Sequence, residues 1–452
     1  MALPGEQVAI ETRLLRAAEF AGEDDPAFTI AQRMASQGVS AVAVAVMRGG
    51  ETHWQGFYGA DSGGPDTLFQ AASMSKAVAS VGIAALARER GFSLDADIMP
   101  ALAGLLDPRA VNPGGVKVTL RGLLSHTNGA SVSGFPGYAE GETVPTTLGV
   151  VLGAGGSNTG PVIIDPAQIG TFNYSGGGYT LAQLWAETVS GESFAALMDR
   201  LVLRPIGMAH SSFALQPPAA DVARAQDGFD GPVPGGWNSY PESAAAGLWT
   251  TPADYGRFAH ALMRAAKGDG SAGIDPAVAA EVLRVVEDDY GLGVSVVDVG
   301  GKGELRFSHS GGNRGYRTQF NAYPARDEAI VVLTNAPGGW TVLGDIMRTA
   351  MRAYGWPHEP REVKTRFALS GDALARLAGD YVEQGKAEVA VSFSVDGADL
   401  IGRTPNGYTF RMVPVGPERF VDPDEGGEIT IRREEGRTVM DSYGSIFVKS
   451  DE

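Results

Sequence analysis

Ser73 and Lys76 stand three residues apart in "FQAASMSKAV", at what reads as the start of a helix. That spacing puts both side chains on one helical face, about 5 to 6 Å apart at Cβ. A lysine amine at that distance reaches a serine hydroxyl and takes its proton, which makes the serine a nucleophile. The first turn of a helix adds unpaired N–H groups and the positive end of the dipole, which stabilise an oxyanion and help keep a nearby amine neutral. Burial and neighbouring positive charge also depress a lysine pKa, as a general base requires. Taken alone the motif has a second meaning, because serine is a favoured N-cap. The chain, however, uses lysine for only seven of its 36 basic residues, and Ser-x-x-Lys occurs at one of the seven. Arginine carries charge without surrendering a proton near neutral pH, so a lysine here points to proton transfer.

Two further stretches carry matching chemistry. "GTFNYSGGGYTLAQ" places Tyr174 on a short loop just before a helix, and "RFSHSGGNRGY" places His309 at the end of a β-run followed by Gly311 and Gly312. Paired glycines leave the backbone uncovered for a substrate lying along an edge strand. In order and rough spacing, the three elements resemble the serine β-lactamase and penicillin-binding protein superfamily, with its Ser-x-x-Lys, Tyr or Ser loop and Lys/His-Thr/Ser-Gly strand. The likeness is to the class C-like branch of esterases, D-aminopeptidases and related serine hydrolases. It extends over about residues 8 to 355, with "LRGLLSHTNG", "RPIGM" and "AAGLWTTPADYGRF" similar to that branch's secondary markers.

The resemblance implies a role for each residue. Ser73 is the nucleophile, Lys76 the base that accepts its proton, and Tyr174 the relay that carries a proton to the leaving group. His309 stands where β-lactamases have lysine and helps orient Tyr174 and the substrate. Backbone N–H groups of Ser73 and Gly312 form the oxyanion hole. Two departures narrow the expected chemistry. The loop reads Tyr174-Ser175-Gly176, so Gly176 stands where class C β-lactamases hold a substrate amide with asparagine. His309 also lacks the permanent charge that pairs with a β-lactam carboxylate near neutral pH. Both changes favour uncharged ester or amide substrates, with Arg314 as the nearest group for a carboxylate. Gly311 lines the strand side of the expected cleft, and Phe135, Tyr138, Trp237 and Tyr240 are candidates for a substrate wall. Glu242 has no deacylation role in this pattern, and His126 in "LLSHTNG" reads as structural.

These residues need a scaffold. "VSAVAVAVMRGG" and "ETHWQGFYG" read as a hairpin turning at Gly-Gly, and "ELRFSHSGG", "YRTQFNAYP" and "EAIVVLTNA" read as three later strands. Two early and three late strands around a helical, Gly-rich middle predict an α+β fold: one antiparallel sheet flanked by helices, with a helical subdomain. The buried-looking helix that begins at the serine ends at Gly91 as a C′ residue. Residues 8–38 show helical spacing interrupted by "GEDDP", which predicts one or two amphipathic helices. Residues 128–170 read as a long loop. The predicted domains are 1–355, a linker over 356–366, and a small antiparallel β-barrel, lipocalin-like, over 367–452.

Composition bounds the partners. A net charge of −17 without a basic stripe argues against nucleic acid. There is no cysteine, which removes disulfides and thiol chemistry. His53, His210, His260 and His358 lack paired ligands at zinc spacing, so neither metal nor cofactor is expected. No apolar run of about 18 residues predicts a membrane span, and the acidic N-terminus does not read as a signal peptide, which together predict a cytoplasmic protein without a membrane partner. The sequence gives no oligomeric state. The expected activity is hydrolysis of a small ester, amide or short peptide through an acyl-enzyme on Ser73. The alternatives are a penicillin-binding-type thioesterase or acyltransferase that cyclises peptides, a weak β-lactamase, and a non-catalytic peptide binder.

Overall fold

Gly49 and Gly50, at φ +60° and +88°, make the tight turn of the first hairpin, joining β1 (Val42–Arg48) to β2 (Glu51–Tyr58) in the computed structural model of the chain. The structure describes residues 5–301, 303–434, 436–442 and 444–450. Their contacts divide into two compact units, one spanning Val39–Gly339 and the other formed by the segments up to Gly38 and from Trp340 onward.

In the first unit the hairpin joins β3 (Ser295–Asp298), β4 (Leu305–Asn313), β5 (Tyr316–Tyr323) and β6 (Glu328–Thr334) in a six-stranded antiparallel sheet of order β2-β1-β6-β5-β4-β3. Six of the seven residues of β1 are buried, which is why it reads as a continuous apolar run rather than alternating. Strand β3 was not expected from the sequence. It is four residues long and pairs only with Leu305–Ser308, so the half of β4 from His309 to Asn313 has no partner on that edge among the described residues.

The helices of this unit position the chemistry. Helix α1 (Ser75–Glu89) buries 12 of its 15 residues, and its small side chains allow close packing: a Cβ on Gly82 would stand 2.5 Å from Met198. It ends as the sequence predicts, with Gly91 at φ +62°. Helix α2 (Gly176–Ser190) is capped by Ser175, whose Oγ accepts the Gly178 N–H at 2.9 Å. A short helix α3 (Ser243–Ala246) packs against α1 and α2. Helix α4 (Pro252–Ala266) covers β1 and β6, started by a Thr251 cap and proline at N1. The stretch expected as a loop contains a short helix, Thr147–Leu152, and a two-stranded ladder of Asn128–Ala130 against Ile164–Ile169.

In the second unit helix α5 (Gly339–Tyr354) precedes eight strands: β7 (Gly379–Glu383), β8 (Val389–Asp396), β9 (Asp399–Arg403), β10 (Thr409–Pro414), β11 (Arg419–Val421), β12 (Glu428–Glu434), β13 (Arg437–Ser442) and β14 (Ser445–Lys449). They form a closed antiparallel barrel, β7 pairing with β14, which leaves no free edge to aggregate. Tyr381, Phe393, Leu400, Met412, Phe420 and Ile431 fill it. The N-terminal segment departs from the expected run of helices. Gly5–Thr12 and Ile30–Ser36 are helical, but Ala18–Phe20 is a strand paired in parallel with Glu362–Lys364. That pairing buries Ala18 and Phe20 against Val413 and Val421, a tertiary gain that overrides local spacing. Arg33, only 3% exposed, donates to Asp345 and Asp424 together, satisfying a buried guanidinium with two carboxylates.

Candidate active site

Ser73 lies in a single 3-10 turn, Ala72–Met74, that leads into α1. It is therefore not the N-cap that the sequence allowed: Met74 occupies that position and caps nothing with its side chain. Ala72 is held at φ +49°, a left-handed conformation that costs a residue with a Cβ about 1 to 2 kcal/mol. Strain of that kind persists where surroundings over-determine it. Here the Tyr255 hydroxyl donates to the Met74 carbonyl at 2.9 Å and the Thr318 hydroxyl to the Ala71 carbonyl at 2.8 Å. The Leu248 N–H donates to Ser75 Oγ at 2.9 Å. From Phe69 to Ala84, Ser73 alone is not buried.

Lys76 is 2% exposed and forms no ion pair among the described residues. Its Nζ donates to Ser73 Oγ at 3.1 Å and to the Ala245 carbonyl of α3 at 2.8 Å. The same nitrogen lies 5.0 Å from the ring centre of Tyr174 and 5.5 Å from that of Tyr179. One amine thus touches the serine hydroxyl and faces the tyrosine that the sequence pairs with it.

Tyr174 is half-buried in the loop before α2. Its ring packs on His126 with centroids 4.3 Å apart. The ring of His309 lies 6.2 Å from that of Tyr174. His126 was read from sequence as structural; it sits directly against a site residue, held at φ +63°.

Strand β4 closes the site. A Cβ on Gly311 would stand 2.5 Å from the Ala71 carbonyl and 2.8 Å from the Ser73 nitrogen, so only glycine admits this approach of strand to nucleophile turn. Gly312 is exposed on the free edge of the strand. His309 donates from Nδ1 to the Ser310 carbonyl, which can only accept. Its Nε2 therefore accepts from the Tyr290 hydroxyl, at 2.9 Å. Desolvation first, and the charge of Lys76 second, push the His309 pKa down to about 3, so the ring is neutral near pH 7. Desolvation raises Tyr290 well above the usual phenol range, which keeps its proton available to donate. Tyr290 carried no recognisable signal in the sequence.

Comparison with known proteins gives the family and the fold. The family profile described as Beta-lactamase matches residues 28–352. The chain belongs to the beta-lactamase family. Among solved structures, the octameric penicillin-binding protein homologue from Pyrococcus abyssi is 19% identical, with a TM-score of 0.59, and is covered over 93% of this chain and 98% of its own. D-amino acid amidase from Ochrobactrum anthropi SV3, complexed with D-phenylalanine, is 18% identical with a TM-score of 0.57, over 72% of this chain and 97% of its own. A class C beta-lactamase from Rhodobacter sphaeroides is 20% identical with a TM-score of 0.55, over 72% and 99%. No curated protein matches the chain. No helix among the described residues is long and apolar enough to cross a membrane.

Several expected wall residues behave differently in this beta-lactamase family member. Tyr138 is 2% exposed and its oxygen accepts the Asn158 N–H at 3.1 Å. Tyr240 is 3% exposed; its hydroxyl lies 3.3 Å from the Pro136 carbonyl and accepts the Arg314 N–H at 2.9 Å. Neither presents a surface to a substrate, because both are needed to satisfy loop backbone in the interior. Trp237 packs edge-on against Trp249 at 5.5 Å and donates to Gln216. Arg314 is exposed, and its guanidinium is paired with Asp227 at 2.9 Å. Phe135 and Gly176 do meet: a Cβ on Gly176 would stand 2.7 Å from the Phe135 ring, so the aromatic occupies the space a side chain there would fill. Glu242, next to α3, is fully buried with neither carboxylate oxygen hydrogen-bonded among the described residues. Desolvation pushes its pKa up to about 7.

Proposed function

We propose that the chain is a serine hydrolase that cleaves a small, uncharged ester or amide through an acyl-enzyme on Ser73, of the carboxylesterase or D-amino acid amidase type. The observation that carries this reading is the hydrogen bond between Ser73 Oγ, alone unburied in its segment, and the buried Lys76 Nζ, which has no carboxylate partner among the described residues.

In the proposed cycle Ser73 Oγ attacks the substrate carbonyl carbon as its proton passes to Lys76. The resulting oxyanion lies between the N–H groups of Ser73 and Gly312; each such donor is typically worth about 2.7 to 4 kcal/mol to a transition state. Collapse expels the leaving group, which receives the proton by way of the Tyr174 hydroxyl. Water then enters, gives a proton back along the same path, and releases the acid and free Ser73. Substrate backbone lies along the free edge of β4 from His309 to Asn313, which the short β3 leaves uncovered.

Two features support an uncharged substrate over a β-lactam. His309 is neutral, so β4 offers no fixed cation for a carboxylate. Gly176 supplies no amide, and Phe135 covers its place. The D-amino acid amidase resemblance in fold supports amides of that kind as one substrate class to try. A panel of short-chain p-nitrophenyl esters, D-amino acid amides and nitrocefin tests the reading. Turnover of esters or amides to the free acid, with nitrocefin slowest, is expected; nitrocefin as the fastest substrate, or an acyl group passed to an added amine and never to water, contradicts it.

A further inference from the structure

We infer that His126 is the positioning residue for Tyr174, holding the tyrosine where it can pass its proton to the leaving group. The inference rests on the proposed role of Tyr174.

Three contacts bracket that one residue. The Asn173 N–H, before Tyr174, donates to the His126 carbonyl at 2.8 Å. The Ser175 N–H, after it, donates to His126 Nδ1 at 3.0 Å. Between them the imidazole lies against the Tyr174 ring at 4.3 Å, tilted by 38°. His126 therefore fixes the backbone on both sides of the tyrosine and one face of its side chain. A loop residue with two soft backbone dihedrals and two side-chain torsions has no such restraint of its own.

The ring is itself locked. Because Nδ1 accepts from Ser175, the proton of the neutral imidazole sits on Nε2. A second proton would have to take Nδ1 and break the Ser175 bond. Phe172, Tyr179 and Tyr290 enclose the ring at 5.6, 5.3 and 5.1 Å, so it cannot swing away. Nε2 has no hydrogen-bond acceptor among the described residues, and the imidazole is 2% exposed. Leaving a buried N–H without a partner costs stability. That cost, and the left-handed backbone of His126, are consistent with a residue kept for placement rather than for packing.

The test uses two esters of one acyl group whose leaving groups differ in their need for a proton. p-Nitrophenolate leaves from p-nitrophenyl butyrate unaided, whereas ethoxide from ethyl butyrate must be protonated. In His126→Leu, kcat/KM for ethyl butyrate is expected to fall about 100-fold and that for p-nitrophenyl butyrate less than about fivefold. Tyr174→Phe is expected to give the same bias, and the double variant no further loss, because the two residues act as one unit. His126→Asn tolerates the positive φ and offers Oδ1 to Ser175 but lacks the ring. It is expected to fold like wild type and show an intermediate bias of about tenfold.

Equal losses on both esters in His126→Leu, losses that multiply in the double variant, or an unbiased His126→Asn would overturn the inference. If Tyr174→Phe itself shows no bias, the proton-relay reading fails first, and the inference with it.

Discussion

Tyr290 donates its phenolic proton to His309 Nε2 across 2.9 Å, and the other imidazole nitrogen is spent on the Ser310 carbonyl. Both nitrogens are thus engaged away from Tyr174. His309 shapes the strand side of the site as a neutral ring, in place of the charge-bearing group that a lysine would be at this position.

The pH dependence follows. With its pKa near 3, His309 is neutral across pH 5 to 8, so no inflection of the rate in that range belongs to it. His309→Asn is expected to lower kcat/KM while leaving the acid limb of the profile within about 0.3 pH unit of wild type. A limb that moves by a full unit would show that His309 titrates during catalysis.

Glu242 makes a stability prediction. Its folded pKa, about 7, is raised above the unfolded carboxylate value. The native state therefore binds the extra proton, and the associated stability is fully present below pH 4.5 and lost as pH rises through 7. Glu242→Gln cannot ionise, so its gain over wild type should grow from pH 5 to pH 8, by at most roughly 3 kcal/mol. Urea midpoints at the two pH values measure it. A Gln variant whose advantage is constant with pH would show that the carboxyl is not held neutral.

The Phe135 ring beside Gly176 is expected to set the acyl-group preference. Gly176→Ala places a Cβ where it meets the ring, so Phe135 must move. Both Phe135→Ala and Gly176→Ala are expected to reduce kcat/KM for p-nitrophenyl phenylacetate about tenfold relative to the acetate, the loss of one apolar contact. A ratio unchanged in both variants would place the acyl group elsewhere.

Lys76 distinguishes charge from proton transfer. Lys76→Arg keeps a cation but not a base, and should lose at least about 1,000-fold in kcat, as Lys76→Ala does. Activity retained by the arginine variant would mean that Lys76 acts only through its charge.

Apolar runs, alternation and turn residues were together sufficient for five strands of the sheet, because each is long and bounded by turn signals. Strand β3 escaped notice because "SVVD" is too short to carry a period. Ala18–Phe20 misled because its partner, Glu362–Lys364, is more than 300 residues away, and local spacing carries no information about that pairing. Motif order singled out Ser73, Lys76, Tyr174 and His309, and the fold brings these four residues together. Tyr138 and Tyr240 were misjudged because an aromatic in a loop reads the same whether it faces a cleft or anchors the loop. The contacts of His126 and Tyr290 were not legible for a related reason: they are hydrogen bonds to Ser175 and His309, which only the folded chain brings together.

Covalent chemistry at Ser73 underlies every step of the proposed cycle. Intact-mass analysis after incubation with a fluorophosphonate, followed by peptide mapping, tests it most directly. One stoichiometric adduct is expected on the peptide holding Ser73, absent in Ser73→Ala, with loss of ester hydrolysis in parallel. Full hydrolytic activity in Ser73→Ala, or an adduct on another residue while Ser73 stays unmodified, would contradict it.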